Sequence, residues 1–442
     1  MAFFLFILVN ATLFIRPGEI VPALLGWEIY FYVILACLIA AAPDVLRYLA
    51  GQSLDTQPIT LCVFGLLIAV LVPSLLAGDM GEAWRTGFHF AKVIVYYLLF
   101  VSLVTTPTRL RILLISILAF CGAVTALAVL RYHDVIQLNT IESLADSVSG
   151  DYGATIDIKR LQGTGIFQDP NELCVLLSAM LPLCLYFLLA AKNIFVKVAC
   201  AAVVPLFGYA VFLTQSRGGF IAFLGGLAIL SWIRLGWRRT AILGAVALPV
   251  LLFLFAGRQT EISTSTGTAQ SRVELWRDWL TTFRENALFG QGMSLAKEDD
   301  LVRRRPDEER IHEAHNSFLQ TFADLGLLGG CLLAGAFFTA GWSLYRWGAP
   351  NRMILDPELR ALQPYLLAGI ASYVLGMMTL SIGYIVPTYM MLALSVAYTQ
   401  MAGRVCLAPP TPLRFDLPHL GRMAAAGVGM LACIYVFVRF LA

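Results

Sequence analysis

The chain has 442 residues, of which 59% are hydrophobic and only 13% charged. That mixture excludes an ordinary soluble globular domain. The formal net charge of +3 is too small to point to nucleic acid, and membrane lipid is the expected surrounding.

Apolar runs of about 17–25 residues can cross a bilayer as helices. In chain order such runs lie near 2–15, 27–42, 59–77, 88–104, 109–131, 173–190, 198–214, 218–233, 240–256, 317–345, 362–382, 384–402 and 421–441. They predict an all-α, polytopic membrane protein of 12–13 transmembrane helices, forming a single membrane domain over residues 1–442. The first two runs are short and read equally well as one re-entrant or tilted pair. The first has neither a basic n-region nor an A-x-A-like site, so a cleaved signal peptide is not expected. Nearly all nine cysteines lie in apolar runs and no C-x-x-C pair occurs, which suits small buried hydrophobes better than disulfide or metal chemistry.

Basic residues in short loops set orientation. One alternating set carries Arg47; Arg109 and Arg111; Lys192 and Lys197; Arg234, Arg238 and Arg239; Arg346, Arg352 and Arg360; and Arg404 and Arg414. Assigning these to the cytoplasm leaves two long loops outside, 132–171 and 257–316. The first is acidic and ends in "KRLQGTGIFQDPNEL". The second holds nine Lys/Arg and eleven Asp/Glu, and its length alone suggests a function.

Four stretches carry the candidate chemistry. In the first loop, Asp169 and Pro170 read as an ordinary helix start; Arg160, Asp169 and Asn171 are candidates for substrate contact. In "TQSRGGF", Arg217 stands between Ser216 and two glycines, where one run ends and the next begins. Glycines there allow a sharp turn, and a guanidinium fork suits a phosphate; an arginine reaching lipid headgroups would look the same.

In "TAQSRVELWRDWLTTFRENALFGQG", Ser271 and Glu274 read as a capping box. Val273, Trp276, Leu280 and Phe283 form one apolar stripe, expected to lie in the membrane interface. Arg272 then occupies the first turn, a poor place for a cation unless an anion binds there. In "HEAHNSFLQTFADLGLLGG", Asn316 or Ser317 caps the incoming helix. His315 precedes it, where a neutral imidazole is suited to act as a base; a loop carbonyl satisfying the ring is the plain alternative. His312, His315, Glu308, Glu309 and Glu313 lack metal-site spacing, so no metal is expected.

These blocks resemble the bacterial O-antigen ligase and polymerase superfamily. The most specific mark is His315-Asn316, nine residues, then Gly326-Leu327-Leu328-Gly329. "TQSRGG", "SRVELW" and "NALFGQG" resemble further family blocks in the expected order, and the similarity spans roughly residues 165–345.

The resemblance implies a glycosyltransferase of the bacterial inner membrane with its site facing the periplasm. Its donor would be an undecaprenyl-pyrophosphate-linked glycan. Its acceptor would be another lipid-linked glycan in O-antigen or exopolysaccharide polymerisation, or lipid A core in ligation; polysaccharide-assembly proteins are further expected partners. By the same resemblance His315 is the catalytic histidine, Arg217 and Arg272 engage the pyrophosphate, and Asn316 joins Arg160, Asn171 and Asp169 as a substrate contact. No cofactor or metal is expected, and direct attack would invert the anomeric centre. The rival from another class is a transporter, in which Asp324, about 12 Å inward from Asn316 at 1.5 Å per residue, would matter more than His315.

Overall fold

The computed structural model describes residues 1–24, 26–51, 53–136, 145–149, 155–254, 268–293, 313–349 and 353–441. Among them are fourteen helices of 14 residues or more. In chain order they are α1 (Ala2–Ile15), α2 (Ile29–Ala50), α3 (Pro58–Leu76), α4 (Met80–Leu103), α5 (Pro107–Tyr132), α6 (Pro170–Ala190) and α7 (Ile194–Thr214). There follow α8 (Arg217–Leu235), α9 (Trp237–Leu254), α10 (Thr268–Glu285), α11 (Ser317–Trp347), α12 (Pro357–Met377), α13 (Val386–Arg404) and α14 (Leu417–Leu441). Each of the thirteen apolar runs falls on one of these helices, and α10 is the extra, amphipathic one.

Among the described residues ten helices are long and apolar enough to cross a membrane, so the chain is an all-α, multi-pass membrane protein. None of α9, α12 and α13 is among the ten; of these, α12 and α13 are the buried ones. Almost all of α13 is buried, including Thr388, Tyr389, Ser395 and Tyr398. A helix that meets protein on every side need not be as apolar as one that meets lipid. By contrast α2, α7 and α14 present large bare hydrophobes, among them Ile39, Phe195 and Phe440. Patches of that size suit lipid and not water.

The first long loop adds a two-stranded antiparallel hairpin, β1 (Ala145–Ser149) with β2 (Thr155–Lys159), in register from Ala145 opposite Lys159 to Ser149 opposite Thr155. The sequence reading held no strand there.

Apolar contact between helices gives little driving force in lipid, so close packing and interhelical hydrogen bonds do more of the work. The trio α6, α8 and α12 shows both. A Cβ on Gly219 would overlap Cys174, on Gly226 would crowd Ser372, and on Gly376 would overlap Val175. Ser178 Oγ donates to the Gly219 carbonyl at 3.1 Å and Ser372 Oγ to the Ala222 carbonyl at 2.8 Å. Each such bond contributes about 0.6 kcal/mol, rarely above 2.

The loops expected on one side do meet at one end of the bundle. Arg111 pairs with Glu358 at 3.1 Å, Arg404 donates to the Thr105 carbonyl and Arg346 donates to Thr411. The site lies at the opposite end.

One boundary needs correction. The runs at 362–382 and 384–402 leave a single connecting residue, whereas α12 ends at Met377 and α13 begins at Val386. Residues 378–385, "MTLSIGYI", are non-helical. Pro387 in the first turn of α13 marks where that helix starts, and hydropathy alone hid the break.

A candidate active site where four helix starts meet

Helices α6, α8, α11 and α13 all begin at this end. Each points its positive dipole end toward the same region, which favours an anion.

The α7–α8 corner carries Arg217. The turn is made by Gln215, at φ 53°, with Ser216 as N-cap accepting from the Gly219 N–H. The two glycines were expected to form the turn; instead they lie within the first turn of α8 and serve close approach. A Cβ on Gly218 would overlap Thr379, and one on Gly219 would overlap Cys174. Arg217 is half-buried at the first position of the helix.

Arg160, Asn171 and Asp169 converge on this corner. Arg160 Nε donates to the Thr214 carbonyl at 2.9 Å, and its NH2 group donates to Asn171 Oδ1 at 2.9 Å. Asn171 in turn donates from its backbone N and its Nδ2 to Asp169 Oδ1, at 2.7 and 2.9 Å. Asp169 is the N-cap of α6 and Pro170 its first residue, as the sequence indicated. Glu19 braces the same loop by accepting from Gly165 N at 2.6 Å.

The α11 start carries His315 and Asn316. Asn316 is the N-cap: its Oδ1 accepts from the N–H groups of Phe318 and Leu319, both at 3.1 Å. It is fully buried, and its Nδ2 has no hydrogen-bond partner. Ser317, the other candidate cap, instead binds residues 378–385. Its Oγ donates to the Leu380 carbonyl at 2.6 Å and accepts from Ile382 N at 2.9 Å. His315 is half-buried with φ 47°, and its N–H donates to Ser381 Oγ at 3.1 Å. Residues 378–385 therefore bracket both helix starts, with Thr379 against α8 and Ser381 beside His315. Sequence reasoning missed this bracket because it lay inside an apolar run; the Ser381–Gly383 pair was the available signal.

Arg272 sits on α10, which begins at Thr268 rather than at the expected cap Ser271. Arg272 is thus in the second turn, where the dipole effect has faded. Ala269 and Gln270 are good helix formers and extend the helix backward. The apolar stripe packs on protein: Leu280 and Phe283, with the neighbouring Trp279, are buried with Leu319, Phe322 and Ile434. Trp276 Nε1 donates to the Ala314 carbonyl at 2.8 Å. Arg272 stands one helical turn from Trp276, so α10 brings it to the flank of the His315 segment.

Beneath the site α11 breaks at Gly326, at φ 66° and ψ −165°. The segment after α10 fills the break: Gln291 N donates to Ala323 O at 3.0 Å, Gly292 N to Asp324 O at 2.9 Å and Leu327 N to Ala287 O at 2.8 Å. Asp324 is buried and accepts from Tyr384 OH at 3.2 Å. The Ala323 and Asp324 carbonyls beside the break are thus paired within the protein. Among the described residues no three His, Cys, Asp or Glu side chains group as metal ligands; His312, Glu308 and Glu309 lie outside the described residues.

Residues 201–334 match the family model described as O-Antigen ligase, less than a third of the chain. Arg217, Arg272, His315 and Asn316 fall inside the match; Arg160, Asp169 and Asn171 fall outside it. No curated protein matches the chain.

Proposed function

We propose, from the match of residues 201–334 to the O-Antigen ligase family model, that the chain transfers a glycan from undecaprenyl pyrophosphate to an acceptor hydroxyl. The family's members are glycosyltransferase-like membrane enzymes. Within it we favour a polymerase, with ligation to lipid A core as the second reading. The site faces the periplasm from the bacterial inner membrane.

One observation carries the reading: residues 378–385 hold the Arg217 and His315 helix starts together, through the close approach of Thr379 to Gly218 and the Ser381–His315 bond. Pyrophosphate leaves as a stable anion and needs charge stabilisation more than a proton. Arg217, Arg272 and the helix starts supply it. Arg160, fixed through Asn171 and the Thr214 carbonyl, adds a third cation. The acceptor hydroxyl is a weak nucleophile, and His315 takes its proton, a role contributing about 10²–10⁴-fold. Attack opposite the leaving group inverts the anomeric carbon, and no step uses a metal or nucleotide.

The test is transfer in proteoliposomes from native lipid-linked oligosaccharide, with EDTA and without nucleotide. Longer lipid-linked chains made by wild type, and lost in His315→Ala and Arg217→Ala, support the polymerase. Product that requires lipid A core supports the ligase. Full activity of His315→Ala together with arrest by EDTA overturns the mechanism.

A further inference from the structure

We infer that Trp276 and Ser381 are positioning residues for His315, clamping one peptide group from both edges. The inference rests on the proposed role of His315.

A non-glycine residue at positive φ is strained and persists only when its surroundings hold it. His315 is such a residue, at φ 47°. The Ala314 carbonyl and the His315 N–H belong to the same planar peptide unit. Trp276 Nε1 donates to that carbonyl at 2.8 Å, and Ser381 Oγ accepts from that N–H at 3.1 Å. The two bonds come from different parts of the chain, α10 and residues 378–385. Rotating this peptide to relax His315 toward ordinary helical φ breaks both bonds at once. On the other side of His315, Asn316 is fixed as the cap of α11. The direction in which the imidazole leaves the backbone is therefore set by Trp276, Ser381 and Asn316 together. Trp276 and Ser381 need not touch substrate to matter, because a displacement of about 1 Å at a reacting group can cost up to about 10²-fold in rate.

The test pairs two readouts on the full-length protein. Transfer kinetics are measured for wild type, His315→Ala, Ser381→Ala, Ser381→Thr and Trp276→Phe. The His315 imidazole resonance is followed against pH in histidine-labelled protein, assigned with His315→Gln. Trp276→Phe keeps a ring against Phe437, which now stands 5.7 Å away centroid to centroid, and loses only the N–H donor.

In Ser381→Ala and Trp276→Phe the expected result is a roughly tenfold fall in kcat, with the donor KM largely unchanged. The His315 resonance and its titration midpoint are displaced, and Ser381→Thr recovers the wild-type values. Unchanged kcat overturns the inference, and so does a rate loss with the His315 resonance in place. If His315→Ala retains transfer, the proposed mechanism fails, and the resonance alone decides the clamp: a displaced signal supports it and an unmoved one overturns it.

Discussion

Gly290 and Gly326 each sit against the backbone that leads into the other. A Cβ on Gly290 would overlap Asp324 and Leu325 main-chain atoms, and a Cβ on Gly326 would overlap those of Leu288 and Phe289. Both residues have positive φ, 78° and 66°. The Gly326–Gly329 pattern within α11 is thus half of a crossing whose other half lies in "NALFGQG".

Alanine at either glycine should destabilise the protein by about 1–3 kcal/mol, from strain at positive φ and from overlap. Because the two positions share one crossing, the double substitution should cost less than the sum of the singles. Thermal unfolding of the detergent-solubilised protein measures this. Wild-type melting of both single variants would be incompatible with the crossing.

Arg160 and Asn171 should behave as one unit. Arg160→Ala and Asn171→Ala are each expected to reduce transfer, with a coupling of about 0.5–3 kcal/mol in a double-mutant cycle. Strictly additive effects on kcat/KM would mean that the 2.9 Å bond between them is not what Asn171 contributes.

Asn316→Ala should cost about 1 kcal/mol in stability through loss of the cap. Asn316→Ser keeps an acceptor for the Phe318 and Leu319 N–H groups and removes the unpartnered Nδ2. It should therefore melt closer to wild type than Asn316→Ala, and the reverse order would contradict the capping role.

At Arg217, lysine should not replace arginine. A planar fork engages two phosphate oxygens where an ammonium offers a point charge. Arg217→Lys is expected to lose about 10²–10³-fold in transfer, the scale seen when one transition-state donor is removed. Single-turnover kinetics separate this loss from donor binding, and lysine activity near wild type would sink the fork argument.

Much of the helical scaffold was legible because lipid imposes a length and an apolarity on each span. The caps at Asp169 and Asn316 were legible because short polar side chains before an apolar run have one common use. Three features were not. Ser271 looks like a cap, but Thr268, Ala269 and Gln270 continue the helix. Gly218 and Gly219 look like a turn, but the contacts that require them come from Thr379 and Cys174, which are remote in sequence. Residues 378–385 hide within an apolar stretch, since Leu380, Ile382 and Ile385 raise local hydropathy without forming helix.

The limited apolarity of α12 and α13 has a consequence for biogenesis. Helices carrying Glu358, Arg360 and Gln363, or Thr388, Ser395 and Gln400, partition into a bilayer less readily than their neighbours. α12 is best accommodated once α6 and α8 stand ready to receive it, and α13 once α4 and α11 do. The bracket over Arg217 and His315 hangs between α12 and α13, so the candidate site is completed only after late insertion events, and a chain arrested before residue 378 would hold its arginines and histidine without the element that aligns them.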